Sequence, residues 1–227
     1  VADALLNQFQ LLRARVESSL KPPYAVVISS ALVSDGKTVC AQGLADAMAV
    51  AGYRTLLVDL DHEEPSIDGL PQPKSLRHAA NPDDLERLIV VDQKSGVAVL
   101  SLSNAALCQT GSREYVAAFL SLARTRFDAV IVDSARLAVS SIGSLFARES
   151  DAVILTTREG RPIRSEDRAL IDVIERENLK FFGVVTIARR TINDFALKTF
   201  GMPQRSSHAA ATPMRAVEGG VSPRLVS

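Results

Sequence analysis

Ser29–Cys40 reads SSALVSDGKTVC, directly after the apolar run Ala25-Val26-Val27-Ile28 and directly before a helical pattern. A strand, a tight loop and a helix start in that order form a phosphate cradle. Backbone N–H groups converge on oxygen, and the helix N-terminus adds partial positive charge. Ser34, Asp35, Gly36, Lys37, Thr38 and Val39 are expected to line it. Lys37 would bring a positive charge to the β- and γ-phosphates, and Thr38 a hydroxyl for Mg²⁺. The usual pattern is G-x-x-x-x-G-K-[ST], and Ala31 stands where its first glycine belongs.

Two more apolar runs end in acid. Thr55-Leu56-Leu57-Val58 leads into Asp59-Leu60-Asp61, and Ala129-Val130-Ile131-Val132 into Asp133. In a parallel sheet the carboxyl ends of the strands share one edge, where open α/β folds bind ligands. Carboxylates there can hold Mg²⁺ directly or through water, since this ion takes few protein oxygens.

Strand-like runs span Tyr24–Ser30, Thr55–Asp59, Val97–Leu102, Ala129–Asp133, Ala152–Thr156 and Phe181–Ile187. Helical periodicity marks Ala2–Leu20, Lys37–Gly52, Pro82–Val90, Arg113–Thr125, Ser140–Arg148 and Ser165–Asn178. Near-continuous apolar strands alternating with helices predict an α/β fold, a mainly parallel sheet with helices on both faces. One domain over residues 1–200 is expected, led by a helix over 1–20. Residues 201–227, rich in Ser, Ala, Pro and Gly, read as a disordered tail. His62–Asn81 reads as a loop, either a surface connection or a switch segment. Arg158, Arg161, Arg164 and Arg168 read first as a solvated face, with a nucleotide- or partner-facing role as the alternative.

With 26 basic and 26 acidic residues the net charge is zero, which gives no argument for nucleic acid as a partner. The two cysteines lack metal-type spacing and suit a reducing cytosol. Cys40 reads as a small buried hydrophobe rather than an activated thiol. No apolar run approaches the roughly 18 residues of a membrane span, and no secretory signal is visible. Val1 in place of Met fits either a processed start or the soluble piece of a longer protein.

The run VVISSALVSDGKTVCAQGLADAMAVAGYRTLLVDLDHEEP (Val26–Pro65) resembles the cytoplasmic tyrosine kinases of bacterial capsule and exopolysaccharide systems, relatives of the MinD/ParA ATPases. Those proteins carry a GKS/T loop, a strand ending D-x-D and a later strand ending in D-x-P. Asp59, Asp61 and Asp133 match the three aspartates, and Asp151–Arg190 resembles the family's final strand, helix and strand. The resemblance implies a P-loop domain that binds ATP and Mg²⁺. Lys37 would contact the terminal phosphates, Thr38 would bind the metal, and Asp61 and Asp133 would tune its shell. Lys37, Asp59 and Asp61 form the expected catalytic set, with Asp59 as base or water-positioner. It also implies a membrane chain-length regulator as partner, a cytoplasmic place at the inner face of the membrane, and assembly into homo-oligomers.

Departures from the family pattern are plain. Glu63 stands where the family has Arg, Ala135 where it has Pro, and Ile187 where relatives place an adenine-contacting Asn. The E-x-x-R-x-x-R assembly pattern of the opening helix is reduced to Asn7-x-x-Gln10-x-x-Arg13. Leu32 occupies the place of the MinD/ParA signature lysine. The C-terminal tyrosine cluster is missing, and the three tyrosines are Tyr24, Tyr53 and Tyr115. Three readings follow: a P-loop kinase or slow ATPase of polysaccharide assembly, a catalytically degenerate sensing or scaffolding module, and a MinD/ParA-like ATPase, disfavoured by Leu32.

Overall fold

The computed structural model describes residues 2–60, 76–102, 113–188 and 216–217. Eight strands form one sheet: β1 (Tyr24–Ser30), β2 (Thr55–Asp59), β3 (Val90–Val91), β4 (Ala98–Ser101), β5 (Ala129–Asp133), β6 (Ala152–Arg158), β7 (Phe181–Ile187) and β8 (Ala216–Val217). Their order is β3-β4-β2-β5-β1-β6-β7-β8. From β4 to β7 neighbouring strands run parallel; the two-residue strands at each edge pair antiparallel.

Seven helices accompany the sheet among the described residues: α1 (Ala2–Ser19), α2 (Lys37–Val50), α3 (Leu76–Ala79), α4 (Pro82–Leu88), α5 (Arg113–Arg126), α6 (Ser141–Glu149) and α7 (Ser165–Arg176). The period-2 alternation of the strands divides the core into two layers. Ala25, Val27, Val58 and Val132 face Leu85 of α4, Phe119 of α5, Phe146 of α6 and Leu170 of α7. Val26, Ile28, Leu57 and Ile131 face Phe9, Leu12 and Val16 of α1 and Leu44 and Met48 of α2. Both faces of β1 are thus covered, and all seven of its residues are buried.

Local chemistry sets several boundaries. Asn81 caps α4 by accepting the Asp83 N–H, with Pro82 opening the first turn. Ser140 caps α6 by accepting the Gly143 N–H. Gly43 allows α1 to lie close on α2, since a Cβ there would stand 2.1 Å from the Phe9 ring. On α1, Arg13 bonds Gln10 and pairs with Glu17, while Gln10 donates to the Ala47 carbonyl. What remains of the assembly pattern therefore serves α1 itself and its seat on α2.

Three expectations change. The helix expected to reach Val90 ends at Leu88, because the β-branched pair Val90-Val91 joins β4 as an edge strand. Leu76–Ala79 form a helical turn inside the segment read as a loop, whose residues 62–75 lie outside the described residues. Within the stretch read as a disordered tail, Ala216 and Val217 pair with Val185 and Val184 on the edge of the sheet. The rest of that tail lies outside the described residues.

Asp46 on α2 yields a pH prediction. Burial, reinforced by the nearby Asp92 charge, lifts its carboxyl from 3.8 to about 6, although a Ser95 hydrogen bond opposes the rise. Asp92 is held ionised, its carboxyl lowered chiefly by the Ser95 hydroxyl and also by backbone N–H groups of the turn. The proton therefore goes to Asp46. A raised carboxyl contributes stability that is full below pH 3.8 and lost as pH climbs through about 6. Asp46→Asn should stabilise the fold by about 1–2 kcal/mol at pH 7.5, that rise being discounted for partial exposure. The gain should vanish near pH 4. Melting curves across this range check it; a gain independent of pH would reject the assignment.

Candidate nucleotide site

β1 ends at Ser30, the loop turns through Ser34 and Gly36, and α2 begins at Lys37. Both turning residues adopt left-handed backbone, with φ of 63° at Ser34 and 86° at Gly36. Only glycine fits the second position: a Cβ on Gly36 would stand 2.9 Å from the Ile187 side chain. Unlike α4 and α6, α2 receives no side-chain cap from its N-cap residue, Gly36. Lys37 is buried at 6% exposure.

The sheet order brings the acids to this loop. β5 lies between β1 and β2, with Asp133 in register with Ile28 on one side and with Asp59 on the other. Asp59 and Asp133 are 4% and 2% exposed. Thr38 Oγ1 donates to Asp133 Oδ2 at 2.6 Å, joining the helix start to the end of β5. Cys40, one turn on, is fully buried, and burial with the Asp133 charge pushes its thiol well above the ordinary range. It is a core residue, as expected.

Of the expected residues, Gly36, Lys37, Thr38, Asp59 and Asp133 come together at the carboxyl edge of the sheet. Asp61 lies outside the described residues. Val39 turns its side chain into the core beneath α2, leaving its backbone as its contribution to the cradle. The Asp35 side chain is engaged in a buried ion pair with Arg161.

That ion pair corrects the reading of the late basic cluster. Arg158 Nε donates to the Ser34 carbonyl at 2.6 Å, and Arg161 Nε reaches both Asp35 oxygens at 3.2 Å. Arg164 and Arg168 are the exposed members. β6 pairs with β1, with Thr156 beside Ser30, so the connection leaving β6 must pass over the phosphate loop. Nothing in the linear sequence shows that adjacency. The signal it did carry was a basic run directly after a strand.

A hydroxyl and two buried carboxylates beside an uncapped helix start form a hard-oxygen donor set of the kind Mg²⁺ takes. Among the described residues no cluster of His, Cys, Asp and Glu has the density of an all-protein metal site. Mg²⁺ held partly by nucleotide phosphates and water needs none.

No family model matches the chain. Over 176 residues it is 30% identical to the succinoglycan biosynthesis transport protein ExoP of Rhizobium meliloti (strain 1021), covering 70% of this chain and 22% of that one. The tyrosine-protein kinase CpsD of Streptococcus agalactiae serotype III (strain NEM316) is 25% identical over 191 residues, 78% of this chain and 79% of the kinase. The chain is a homologue of these exopolysaccharide-system proteins and tyrosine kinases.

As a tyrosine-kinase homologue it spans about a fifth of the length of ExoP and about four-fifths of CpsD. The kinase domain of Escherichia coli tyrosine kinase ETK superposes with a TM-score of 0.68 at 18% identity, over 91% of this chain and 80% of that one. Cobyrinic acid a,c-diamide synthase from Mycobacterium smegmatis, solved with an ATP analogue and magnesium, gives 0.59 at 20% identity, over 84% of each chain. At these identities the likeness shows the P-loop fold that the bacterial tyrosine kinases share with other ATPases.

The chain departs from the pattern of those kinases at several positions. Ile187 is fully buried and packs beneath Gly36, so the family's adenine-contacting amide has no counterpart there. Tyr24 is 1% exposed, bonds Met48 through its hydroxyl, and is shifted upward by burial. Tyr53 and Tyr115 are half-buried. Among the described residues no helix is long and apolar enough to cross a membrane.

Proposed function

We propose that this chain is a Mg-ATP-dependent P-loop domain of exopolysaccharide or capsule assembly, working by phosphoryl transfer to another protein or by slow hydrolysis. One observation carries the reading: the Thr38 hydroxyl meets Asp133 beside Asp59, at the uncapped start of α2. Lys37 would neutralise the terminal phosphates, and the N–H groups from Ser34 to Thr38 would hold the β-phosphate. Thr38, Asp133 and, beyond the described residues, Asp61 would hold Mg²⁺, which supplies charge neutralisation when bound. Asp59 would orient the attacking hydroxyl or water. Phosphoryl transfer asks mainly for such positioning and charge balance.

By family likeness the domain would act at the cytoplasmic face of the membrane, with a chain-length regulator as partner or fused neighbour. Self-assembly through α1 would be weakened, since Arg13 is engaged within its own helix. The second reading, a nucleotide-sensing or scaffolding module without turnover, is favoured by Ile187 under Gly36, which removes a base contact from the pocket.

Calorimetric titration with ATP, with and without Mg²⁺, tests the reading, followed by mass spectrometry after incubation. We expect Mg-dependent ATP binding with little phosphotyrosine on this chain, because Tyr24 is sealed in the core and Tyr53 and Tyr115 are half-buried. Stoichiometric phosphate on any of the three would overturn the trans-acting assignment. Binding without turnover, even with the membrane partner present, would select the scaffolding module. No binding at all would remove the ATP-binding proposal.

A further inference from the structure

The connection between β6 and α7 grips the phosphate loop at two consecutive residues. Arg158 Nε holds the carbonyl of Ser34, the residue in left-handed backbone. Arg161 holds the carboxylate of Asp35 through Nε, with Nη2 at 3.0 Å from Oδ2. The other edge of the same guanidinium meets Asp167, with Nη1 2.7 Å from Oδ2 and Nη2 2.5 Å from Oδ1. Asp167 also accepts the Arg164 N–H at 2.8 Å, closing the first turn of α7. The loop, an arginine and a helix start are therefore joined in series.

This chain of contacts is buried where it matters. The side chains of Asp35 and Arg161 are 2% and 11% exposed. A buried carboxylate two residues before Lys37 would oppose phosphate binding unless a cation offset it. A planar guanidinium suits the task because its two edges can engage two carboxylates at once, which an ammonium cannot do with fixed geometry. Hydrogen bonds from Arg161 lower the Asp167 carboxyl, so Asp167 stays ionised at neutral pH.

We propose that Arg161 is a positioning residue for nucleotide binding, which neutralises Asp35 and anchors it. It acts through Asp35 and makes no contact with the nucleotide itself. The inference rests on the ATP-binding reading above and adds to it a residue outside the loop motif.

Calorimetric titration of Mg-ATP into the full chain tests it, at a temperature well below the melting midpoint of every variant. Arg161→Gln should weaken ATP on the order of tenfold or more, from an uncompensated carboxylate beside the phosphates. Asp35→Asn added to Arg161→Gln should restore affinity to within about threefold of wild type, since the repelling charge is gone. Arg161→Lys should fall between wild type and Arg161→Gln. Unchanged affinity in Arg161→Gln overturns the proposal. So does a double variant as weak as Arg161→Gln, because the arginine would then act on the nucleotide directly or on the fold alone. Lys37→Met separates the two levels. If wild type and Lys37→Met are equally silent, the ATP reading fails and takes this inference with it. If only Lys37→Met is silent, a negative result at Arg161 counts against the latch alone.

Discussion

Lys37→Met is expected to weaken ATP binding by about a hundredfold or more, matching the roughly 2–5 kcal/mol lost when a desolvated charge partner is removed. Lys37 opens α2 and is 6% exposed, so water would screen its attraction for phosphate only weakly. Methionine keeps the length and apolar stem of the side chain and suits a helix start, so the fold should survive. Calorimetry reads the affinity, and a far-ultraviolet spectrum with a melting curve reads the fold. Equal affinity in a folded variant would sink the phosphate-loop assignment.

Asp59→Asn should lower turnover by about two to four orders of magnitude, the usual contribution of a positioned base. The change is nearly isosteric, and Asp59 ends β2 in register with Asp133, so the sheet has no reason to rearrange. Affinity for ATP should change much less, because nucleotide is held chiefly by the loop and Lys37. This split of turnover from affinity marks an interaction made in the transition state. The measurement needs a preparation that turns over ATP, with its membrane activator if one is required. Undiminished turnover would remove Asp59 from the mechanism.

Much of this was legible in the linear sequence, for a local reason. Strands β1, β2, β5 and β7 follow their apolar runs residue for residue, because buried parallel strands are marked by continuous Val, Ile and Leu. The GKT motif between strand and helix placed the phosphate loop, since glycine, lysine and threonine at that spacing answer to one backbone geometry. The edge elements were less legible. Val90–Val91 is too short for a periodic signal, and its strand state comes from pairing with Val99 and Ala98.

The site shows the same division. Each aspartate could be recognised at the end of its own strand, but the strand order decides which of them meet. β5 comes after β2 in the chain yet inserts between β2 and β1, and only then does Asp133 reach Thr38. The arginines depended wholly on the fold. Arg158 and Arg161 lie more than 120 residues along the chain from Ser34 and Asp35, and a charge run at that distance looks the same whether it meets water or a loop. Pairing of β6 with β1 brings the two loops together, and burial then turns Arg161 into the partner of Asp35. Sequence determined which groups this protein owns and on which elements they ride; tertiary contact, by removing water and fixing neighbours, decided which charges act on one another.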